Sequence, residues 1–259
     1  MDLGLAGKSA LVCASSRGLG RGVAMALAEA GVNLTLNART PGPLDETAQL
    51  LRSRYNVAIT SVAADITTQA GRAQVLAAAG SVDILVTNAG GPPPGVWSDW
   101  SHDDFLAALE ANLLTPIALM QALLPAMMDR GWGRVINITS QSVKAPIAQL
   151  GLSNTARSGL TGFVAGTARQ VAPFGVTINN VLPGAHDTDR ITQLDAATAK
   201  AEGVSAEAVR ARKMAAIPAG RYGDAADFGA ICAFLCSDQA KFIVGQNILV
   251  DGGAINATL

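Results

Sequence analysis

Short apolar runs alternate with longer amphipathic stretches along the whole chain. The runs are rich in aliphatic and β-branched residues and lie between turns, which is typical of buried strands. Between them, Ala and Leu recur at helical spacing, which predicts connecting helices. The predicted strands are Ser9 to Ala14, Asn33 to Asn37, Ala58 to Ala63, Ile84 to Thr87, Arg134 to Thr139, Thr177 to Leu182 and Asn247 to Val250.

Apolar strands without polar alternation, joined by helices, indicate a mostly parallel sheet with helices on both faces. The fold class is therefore α/β, and we expect a single doubly wound (Rossmann) domain with a seven-stranded sheet over residues 1–259. No Ser-, Pro- or charge-rich linker divides the chain. Such sheets bind ligands beyond the carboxyl ends of their strands, so functional residues are expected directly after the strands.

The first such point is a glycine-rich turn. The stretch from Lys8 to Gly31 predicts a strand, a tight turn and a helix. Gly18 and Gly20 let the turn bend and let backbone approach a ligand, while the helix aims free N–H groups and its positive dipole end at the same place. The pattern favours a phosphate site, although an ordinary glycine-rich turn would show it too.

The second predicted strand is followed by Ala38 and Arg39, with no acidic residue that would bind the adenosine ribose hydroxyls. Arg39 and Arg17, the latter inside the glycine turn, are interpreted as two arms of a guanidinium clamp around a 2′-phosphate. This interpretation favours NADP(H) over NAD(H). The alternative is that both arginines are solvated turn residues.

Composition points to a small-molecule ligand. The formal net charge is −1 and no basic run occurs, which argues against nucleic acid or an anionic membrane as partner. No leader pattern is seen, and no apolar run approaches a membrane span. Cys13, Cys232 and Cys236 are interpreted as reduced packing residues of a cytoplasmic protein. With His102 and His186 as the only histidines, no metal site is expected.

Taken together, the motifs resemble those of the classical short-chain dehydrogenase/reductase family over nearly the whole chain. The residues that carry the resemblance are Ala14, Ser15, Ser16, Arg17, Gly18, Leu19 and Gly20 in the turn, then Asp65, then Asn88, Ala89 and Gly90, then Asn112 and Ser140, then Pro183, Gly184 and Thr188, and lastly Asp251, Gly252 and Gly253. The arrangement of Arg17 and Arg39 is similar to that of NADP-using 3-oxoacyl carrier-protein reductases.

The resemblance implies which residues bind NADP(H). The expected cofactor-binding residues are Ser15, Arg17, Gly18, Leu19, Gly20, Arg39, Asp65, Ile66, Asn88, Ala89, Gly90, Arg157, Pro183, Gly184 and Thr188. The expected catalytic residues are Asn112, Ser140, Ser153 and Arg157.

The chain also departs from the family pattern. Ala14 replaces the first glycine of the turn, which a backbone with negative φ would tolerate. Ser153 and Arg157 stand where the family carries Tyr-x-x-x-Lys. Neither Tyr55 nor Tyr222 is followed by a lysine four residues later, so a shifted register does not restore the motif.

Carbonyl reduction needs a hydride at carbon and a proton at the developing alkoxide. In the family, the tyrosine donates that proton, and of its partners only Ser140 and Asn112 are unchanged here. Ser153 is shorter than tyrosine and a weaker acid than a phenol of pKa about 10. Arg157 could hold ribose hydroxyls but not pass a proton. Without a replacement acid, we expect a loss of roughly 10²- to 10⁴-fold in the chemical step.

Three residues are candidate replacements for the lost acid: Lys144, Ser142 and His186. A histidine of near-neutral pKa is chemically the best donor of the three. The alternatives are a solvated loop cation, a turn residue and an exposed loop residue, respectively. Trp97 and Trp100 either wall a substrate pocket or only pack their loop.

The remaining stretches suggest a lid and oligomer contacts. Residues 187–216 are polar and Ala-rich, as expected of a mobile helical lid. A helix from Ser158 to Ala172 and the strand from Gln246 to Val250 are candidate faces of a homodimer or homotetramer, which the resemblance implies.

Two function classes stay open at this point. The first is an NADP(H)-dependent oxidoreductase that acts on a carbonyl or alcohol, with 3-oxoacyl thioesters among the candidate substrates, through a rearranged proton donor. The second is a nucleotide-binding sensor or partner subunit without reductase activity. The retained Ser140 and Asn112 favour the first, and the altered Ser153 and Arg157 favour the second.

Overall fold

A computed structural model describes residues 2–257, so Met1, Thr258 and Leu259 of the predicted domain lie outside the described residues. Over this range, seven strands form one sheet in the order β3-β2-β1-β4-β5-β6-β7, and all six neighbouring pairs are parallel. The strands are β1 (Ser9–Val12), β2 (Asn33–Ala38), β3 (Ile59–Ala63), β4 (Ile84–Thr87), β5 (Gly133–Ile138), β6 (Val176–Pro183) and β7 (Asn247–Val250). The predicted α/β class and doubly wound topology are confirmed.

Helices connect the strands and cover both faces of the sheet. In the described chain they are α1 (Gly18–Glu29), α2 (Pro41–Arg54), α3 (Gln69–Ala79), α4 (His102–Leu109), α5 (Thr115–Asp129), α6 (Gly151–Val171), α7 (Asp189–Glu202), α8 (Ala206–Ala215) and α9 (Ala225–Cys236). Helices α1, α2 and α9 pack in one apolar layer, and α3, α5 and α6 pack in the other. Successive strand residues alternate between the layers, since Val12 joins the first and Leu11 the second.

Helix α6 begins at Gly151 rather than at the predicted Ser158. Ser, Asn and Thr in the first turns favour local turns and caps, so the sequence pattern hides the helix start. Leu152 and Ala156 nevertheless continue the buried stripe of Leu160 at helical spacing, and this burial decides the local structure.

A continuous helical stretch, His102–Asp129, is long and apolar enough to cross a membrane by length and composition alone. The expectation that no apolar run approaches that length is therefore wrong. A π-helical turn, Glu110–Leu114, joins α4 to α5 within it. Leu119 and Met120 of this stretch are buried in the layer against the sheet, so it forms part of the protein core.

A chain of side-chain hydrogen bonds crosses four neighbouring strands. The Thr87 hydroxyl donates to the Asn137 Oδ1 at 2.7 Å, and the Asn137 amide donates to the Asn180 Oδ1 at 3.2 Å. The Asn180 amide continues the chain to the Asn247 Oδ1 at 2.8 Å. Because these residues pair in register from β4 to β7, the chain fixes the alignment of the strands whose ends carry the candidate site.

Replacing Asn137 with Ala is expected to lower the free energy of unfolding by about 2–4 kcal/mol, because two buried polar partners lose their hydrogen bonds at once. Chemical denaturation measures the change. Asn33→Ala is the matched control, since the Asn33 side chain accepts one bond from the Ala58 N–H near solvent and should cost about 1 kcal/mol. Equal losses of unfolding free energy for the two variants would contradict the proposed contribution of these side-chain hydrogen bonds to stability.

Candidate active site

The turn after β1 brings the start of α1 against the strand backbone. A Cβ built on Gly20 would lie 2.3 Å from the Ala14 carbonyl oxygen, so this position accepts only glycine. Gly18 has a φ of 52°, and Ala14 has a φ of 48°. The expectation of a negative φ at Ala14 is wrong, since the turn keeps its left-handed conformation at about 1–2 kcal/mol of strain.

A cavity of about 470 Å³ lies beside this turn, and it is lined by residues 16–18 of the turn, by residues of α1 and α2, by residues 187–189 and by Ala225. In the part of the chain that the structure describes, no side chain caps the first turn of α1. Its free N–H groups are therefore available to an anion, and the helix dipole favours one. The residues present fit the diphosphate of a dinucleotide.

The predicted cofactor residues lie at one edge of the sheet. Ser15 belongs to the turn after β1 and Leu19 to the first turn of α1. Asp65 and Ile66 follow β3, Asn88, Ala89 and Gly90 follow β4, Pro183 ends β6, and Gly184 and Thr188 lead to α7. Ser15 is fully buried, and its N–H donates to the Asn37 carbonyl at 3.0 Å, so it ties the turn to β2.

The two predicted clamp arginines have different neighbours, and the clamp itself stays a prediction. Arg17 forms an exposed ion pair with Asp189 at 3.2 Å, across the mouth of the cavity. Arg39 is exposed at the end of β2. The Thr67 hydroxyl and N–H hold the pKa of Asp65 below its ordinary value, and the charge of Arg39 adds to this effect. Arg39 is therefore near Asp65, whereas Arg17 is paired with Asp189.

Ser153 and Arg157 lie one turn apart on the inner face of α6. The Arg157 Nε–H donates to the Ser153 Oγ at 3.1 Å, and its Nη1 donates to the Ile138 carbonyl at 2.7 Å. Ile138 ends β5, and Ser140 follows two residues later. Arg157 thus joins α6 to the strand end that carries Ser140.

Arg157 is a buried cation. It is 7% exposed, and no acidic residue between 2 and 257 lies within 4.0 Å of it. Burial, together with a smaller effect of the positive charge of Arg190, lowers its pKa to about 10. At neutral pH the guanidinium keeps its charge and cannot act as a base.

Ser140 and Asn112 lie close to this pair in the fold. The Ser140 Oγ accepts the Ser142 N–H at 3.1 Å, so its own hydroxyl proton is free to be donated. Asn112 is buried in the π-helical turn that packs on α6, and its amide donates to the Ala108 carbonyl at 3.4 Å.

Several buried side-chain polar atoms of residues 2–257 have no hydrogen-bond partner. Those near Ser140, Asn112 and the start of α6 are Trp100 Nε1, Asn112 Oδ1, Thr139 Oγ1, Gln141 Oε1, Ser142 Oγ and Asn154 Oδ1. Buried polar groups are nearly always paired in folded proteins, so a cluster of unpaired ones indicates a place where ligand or water completes them.

The candidate replacement acids fall into different environments. His186 is buried, with its Nδ1 3.2 Å from the Gly184 carbonyl, so the interpretation as an exposed loop residue is wrong. Burial lowers the pKa of His186, and the cavity beside its ring is lined by none of the predicted catalytic residues. Lys144 is exposed, and Ser142 is buried in a short 3₁₀ turn.

The two loop tryptophans behave differently. Trp97 is 86% exposed. Trp100 packs on the start of α6, where a Cβ on Gly151 would lie 2.4 Å from its ring, and it meets Phe105 edge to face at a centroid distance of 6.3 Å. Trp100 therefore packs its loop against the helix that carries Ser153.

The predicted lid region is confirmed as helical, since α7 and α8 span it. Arg210 of α8 donates two hydrogen bonds, at 3.0 and 2.6 Å, to Asp187. Asp195, buried in α7, accepts from Lys213 at 2.8 Å and from the Tyr222 hydroxyl at 3.0 Å. These contacts hold the two helices as one unit, while the mobility of that unit stays a prediction.

Sequence reasoning missed Arg190. It lies in the first turn of α7, and its Nη2 donates to the Pro92 carbonyl at 2.8 Å, in the loop after β4. Its position two residues after Thr188 is the one available signal, because nothing in the sequence shows that α7 reaches the β4 loop.

The Ala14→Gly variant is expected to raise the free energy of unfolding by about 0.5–1 kcal/mol, because glycine relieves the left-handed strain at a small entropic cost. Chemical denaturation measures this. Ala30→Gly is the control, because Ala30 has a φ of −78° and the change there should destabilise the protein. A loss of stability at both positions would contradict the strained turn.

Comparison with known proteins fits this geometry. A family model described as enoyl-(acyl carrier protein) reductase matches residues 13–255. The 3-oxoacyl-[acyl-carrier-protein] reductase FabG of Salmonella typhimurium is 32% identical over 249 residues, which cover 95% of this chain and 97% of that protein.

Solved structures agree. L-sorbose reductase from Gluconobacter frateurii, complexed with NADPH and L-sorbose, is similar with a TM-score of 0.93 and 27% identity over 99% of this chain and 100% of that chain. An actinorhodin polyketide ketoreductase variant with NADPH has a TM-score of 0.90 and 28% identity over 96% and 98% of the two chains. The predicted resemblance is thus confirmed, and the chain belongs to the short-chain dehydrogenase/reductase family.

Proposed function

We propose that this chain is an NADP(H)-dependent oxidoreductase that interconverts a carbonyl and an alcohol through an atypical active site. The observation that carries the proposal is the cluster of unpaired buried polar atoms around Ser140, beside the charged Arg157. Unpaired groups of this kind cost about 1–3 kcal/mol each unless a ligand or water completes them. The cavity at the start of α1 and the NADPH-bound structural relatives support the choice of cofactor.

The proposed assignment of cofactor residues follows the sheet edge. The α1 amides and Arg17 would hold the diphosphate side, and Arg39 would meet the adenosine 2′-phosphate. When bound, NADPH would supply the hydride for reduction of the carbonyl carbon, and the carbonyl oxygen would gain a proton through residues of this chain.

The protein residues would stabilise and protonate that oxygen. Ser140 and Ser153 both accept an N–H at their Oγ, so both hydroxyl protons are free to point at a substrate oxygen. The Arg157 charge would stabilise the developing alkoxide without giving up a proton. We propose that Ser153 passes the proton from a water held near Asn112, whose Oδ1 is unpaired in the described chain.

The finer assignments belong to the same proposal. Carbonyl compounds that include 3-oxoacyl thioesters are the substrates to test. A cytoplasmic location fits the three buried free thiols. The outer face of α6, where Gly162 and Gly166 leave open space, and strand β7 are the proposed homo-oligomer surfaces.

The double variant Ser153→Tyr with Arg157→Lys is expected to lower turnover roughly 10²-fold, because it removes both the Ser153 hydroxyl of the proposed relay and the guanidinium that joins this hydroxyl to the Ile138 carbonyl. NADPH consumption is followed with 3-oxoacyl thioesters, ketones and quinones. Thr155→Ala, at an exposed position of the same helix, should keep wild-type rates.

The opposite result would contradict the proposal. A wild type that is inactive across the panel, with activity created by the double variant, would place the chain in the second class. It would then be a nucleotide-binding sensor or partner subunit whose site has lost its acid.

Arg39→Ala is expected to weaken NADPH binding roughly 10- to 100-fold and to leave NADH binding unchanged, because the guanidinium would contact only the 2′-phosphate. Fluorescence titration with both nucleotides measures this. Arg54→Ala, which removes an exposed charge from the end of α2, serves as the control. Equal loss for both nucleotides would contradict the assignment of Arg39.

A further inference from the structure

Two arginines converge on the reacting end of the crevice without a carboxylate between them. Arg157 reaches the end of β5 from α6, and Arg190 reaches the loop after β4 from α7. Strands β4 and β5 are neighbours in the sheet, with Thr87 paired to Asn137, so their carboxyl ends lie side by side. The two guanidinium groups therefore each contact backbone at or beyond the carboxyl ends of neighbouring strands.

The Arg190 guanidinium packs against the backbone of Gly91. A Cβ on Gly91 would lie 3.3 Å from its Nη2 and 3.6 Å from its Cζ, so any side chain there would crowd it. Its hydrogen bond to the Pro92 carbonyl, at 2.8 Å, uses one of five N–H donors. The group is thus held in place with most of its donors still free.

Neither charge is neutralised by the protein. Across residues 2–257, no acidic side chain lies within 4.0 Å of Arg157 or Arg190, whereas Arg210, Arg212 and Arg221 of the same region all pair with carboxylates. Burial is the main cause of the lowered pKa of Arg157, and the positive charge of Arg190 acts in the same direction. Like charges held together without a counterion favour binding of an anion.

We propose that the substrate carries a small anionic group, a carboxylate or a phosphate, that Arg190 and Arg157 bind together next to the reacting carbonyl. This inference rests on the proposed function and names its substrate class. The planar fork of arginine matches both anions with paired hydrogen bonds. The cofactor diphosphate is placed elsewhere, at the α1 turn, where Arg17 and the free N–H groups lie.

The test uses protein saturated with NADP⁺, in which a carbonyl compound binds without reacting. NADP⁺ binding is first measured by calorimetry, and then acids and neutral counterparts are titrated in pairs. The pairs are acetoacetate with methyl acetoacetate, levulinate with methyl levulinate, and dihydroxyacetone phosphate with dihydroxyacetone. We expect at least one anion to bind 10-fold or more tightly than its neutral partner, and the pair concerned distinguishes carboxylate from phosphate.

Variants connect this preference to Arg190. Arg190→Gln should remove the preference with NADP⁺ affinity unchanged, and Arg190→Lys should restore most of it. Lys200→Gln removes an exposed charge from the same helix and should change nothing. No preference for any anion in the wild type, a preference that survives in Arg190→Gln, or a loss of NADP⁺ affinity in its place would overturn the inference. Failure of the wild type to bind NADP⁺ would overturn the proposed function itself.

Discussion

The candidate site depends on one buried positive charge. The Arg157 guanidinium is enclosed between α6 and the end of β5, where burial lowers its pKa to about 10. Two neutral acceptors, the Ile138 carbonyl and the Ser153 hydroxyl, offset only part of the several kcal/mol that such burial costs. Folding alone would be served as well by an apolar side chain of similar size. The charge is therefore best understood as half of an interaction that a ligand completes.

The parallel sheet explains why the remaining groups meet this charge. Every crossover returns the chain to the same edge, so the turn after β1, the loop after β4 and the loop after β6 open into one crevice. The side-chain hydrogen bonds from Thr87 to Asn247 fix the register of four strands. They therefore also fix where along the sheet edge the following loops begin. Ala14 has a strained, left-handed backbone conformation. Helix α1 lies so close to the Ala14 carbonyl that only glycine fits at position 20.

Much of this arrangement could be predicted from the sequence, because apolar runs identify buried strands and a parallel sheet places their ends together. The strand bounds were nearly right, and the largest difference is at β1, which ends at Val12 before the strained turn. Contacts between distant segments could not be predicted. The sign of φ at Ala14 is imposed by its contact with Gly20, the start of α6 by burial of Leu152, and the burial of His186 by packing on Phe228 at a centroid distance of 5.4 Å.

Arg190 is a candidate functional residue that the sequence could not identify, for the same reason. Its charge matters because α7 carries it to the β4 loop, and no local pattern records that approach. The altered motif at Ser153 and Arg157, in contrast, was visible in the sequence, but its meaning was not. The structure adds that the arginine is charged, buried and unpaired by any acid in the described chain, which favours a rearranged site over a vestigial one.

The central claim is that a dinucleotide lies along this edge with its reactive ring beside Arg157. A crystal structure of the protein grown with NADP⁺ tests it most directly. We expect the diphosphate at the first turn of α1 and the nicotinamide ring beside the Ser140 hydroxyl, within reach of the Arg157 guanidinium. A nicotinamide ring bound away from Arg157, or crystals that show no nucleotide at saturating concentration, would contradict it.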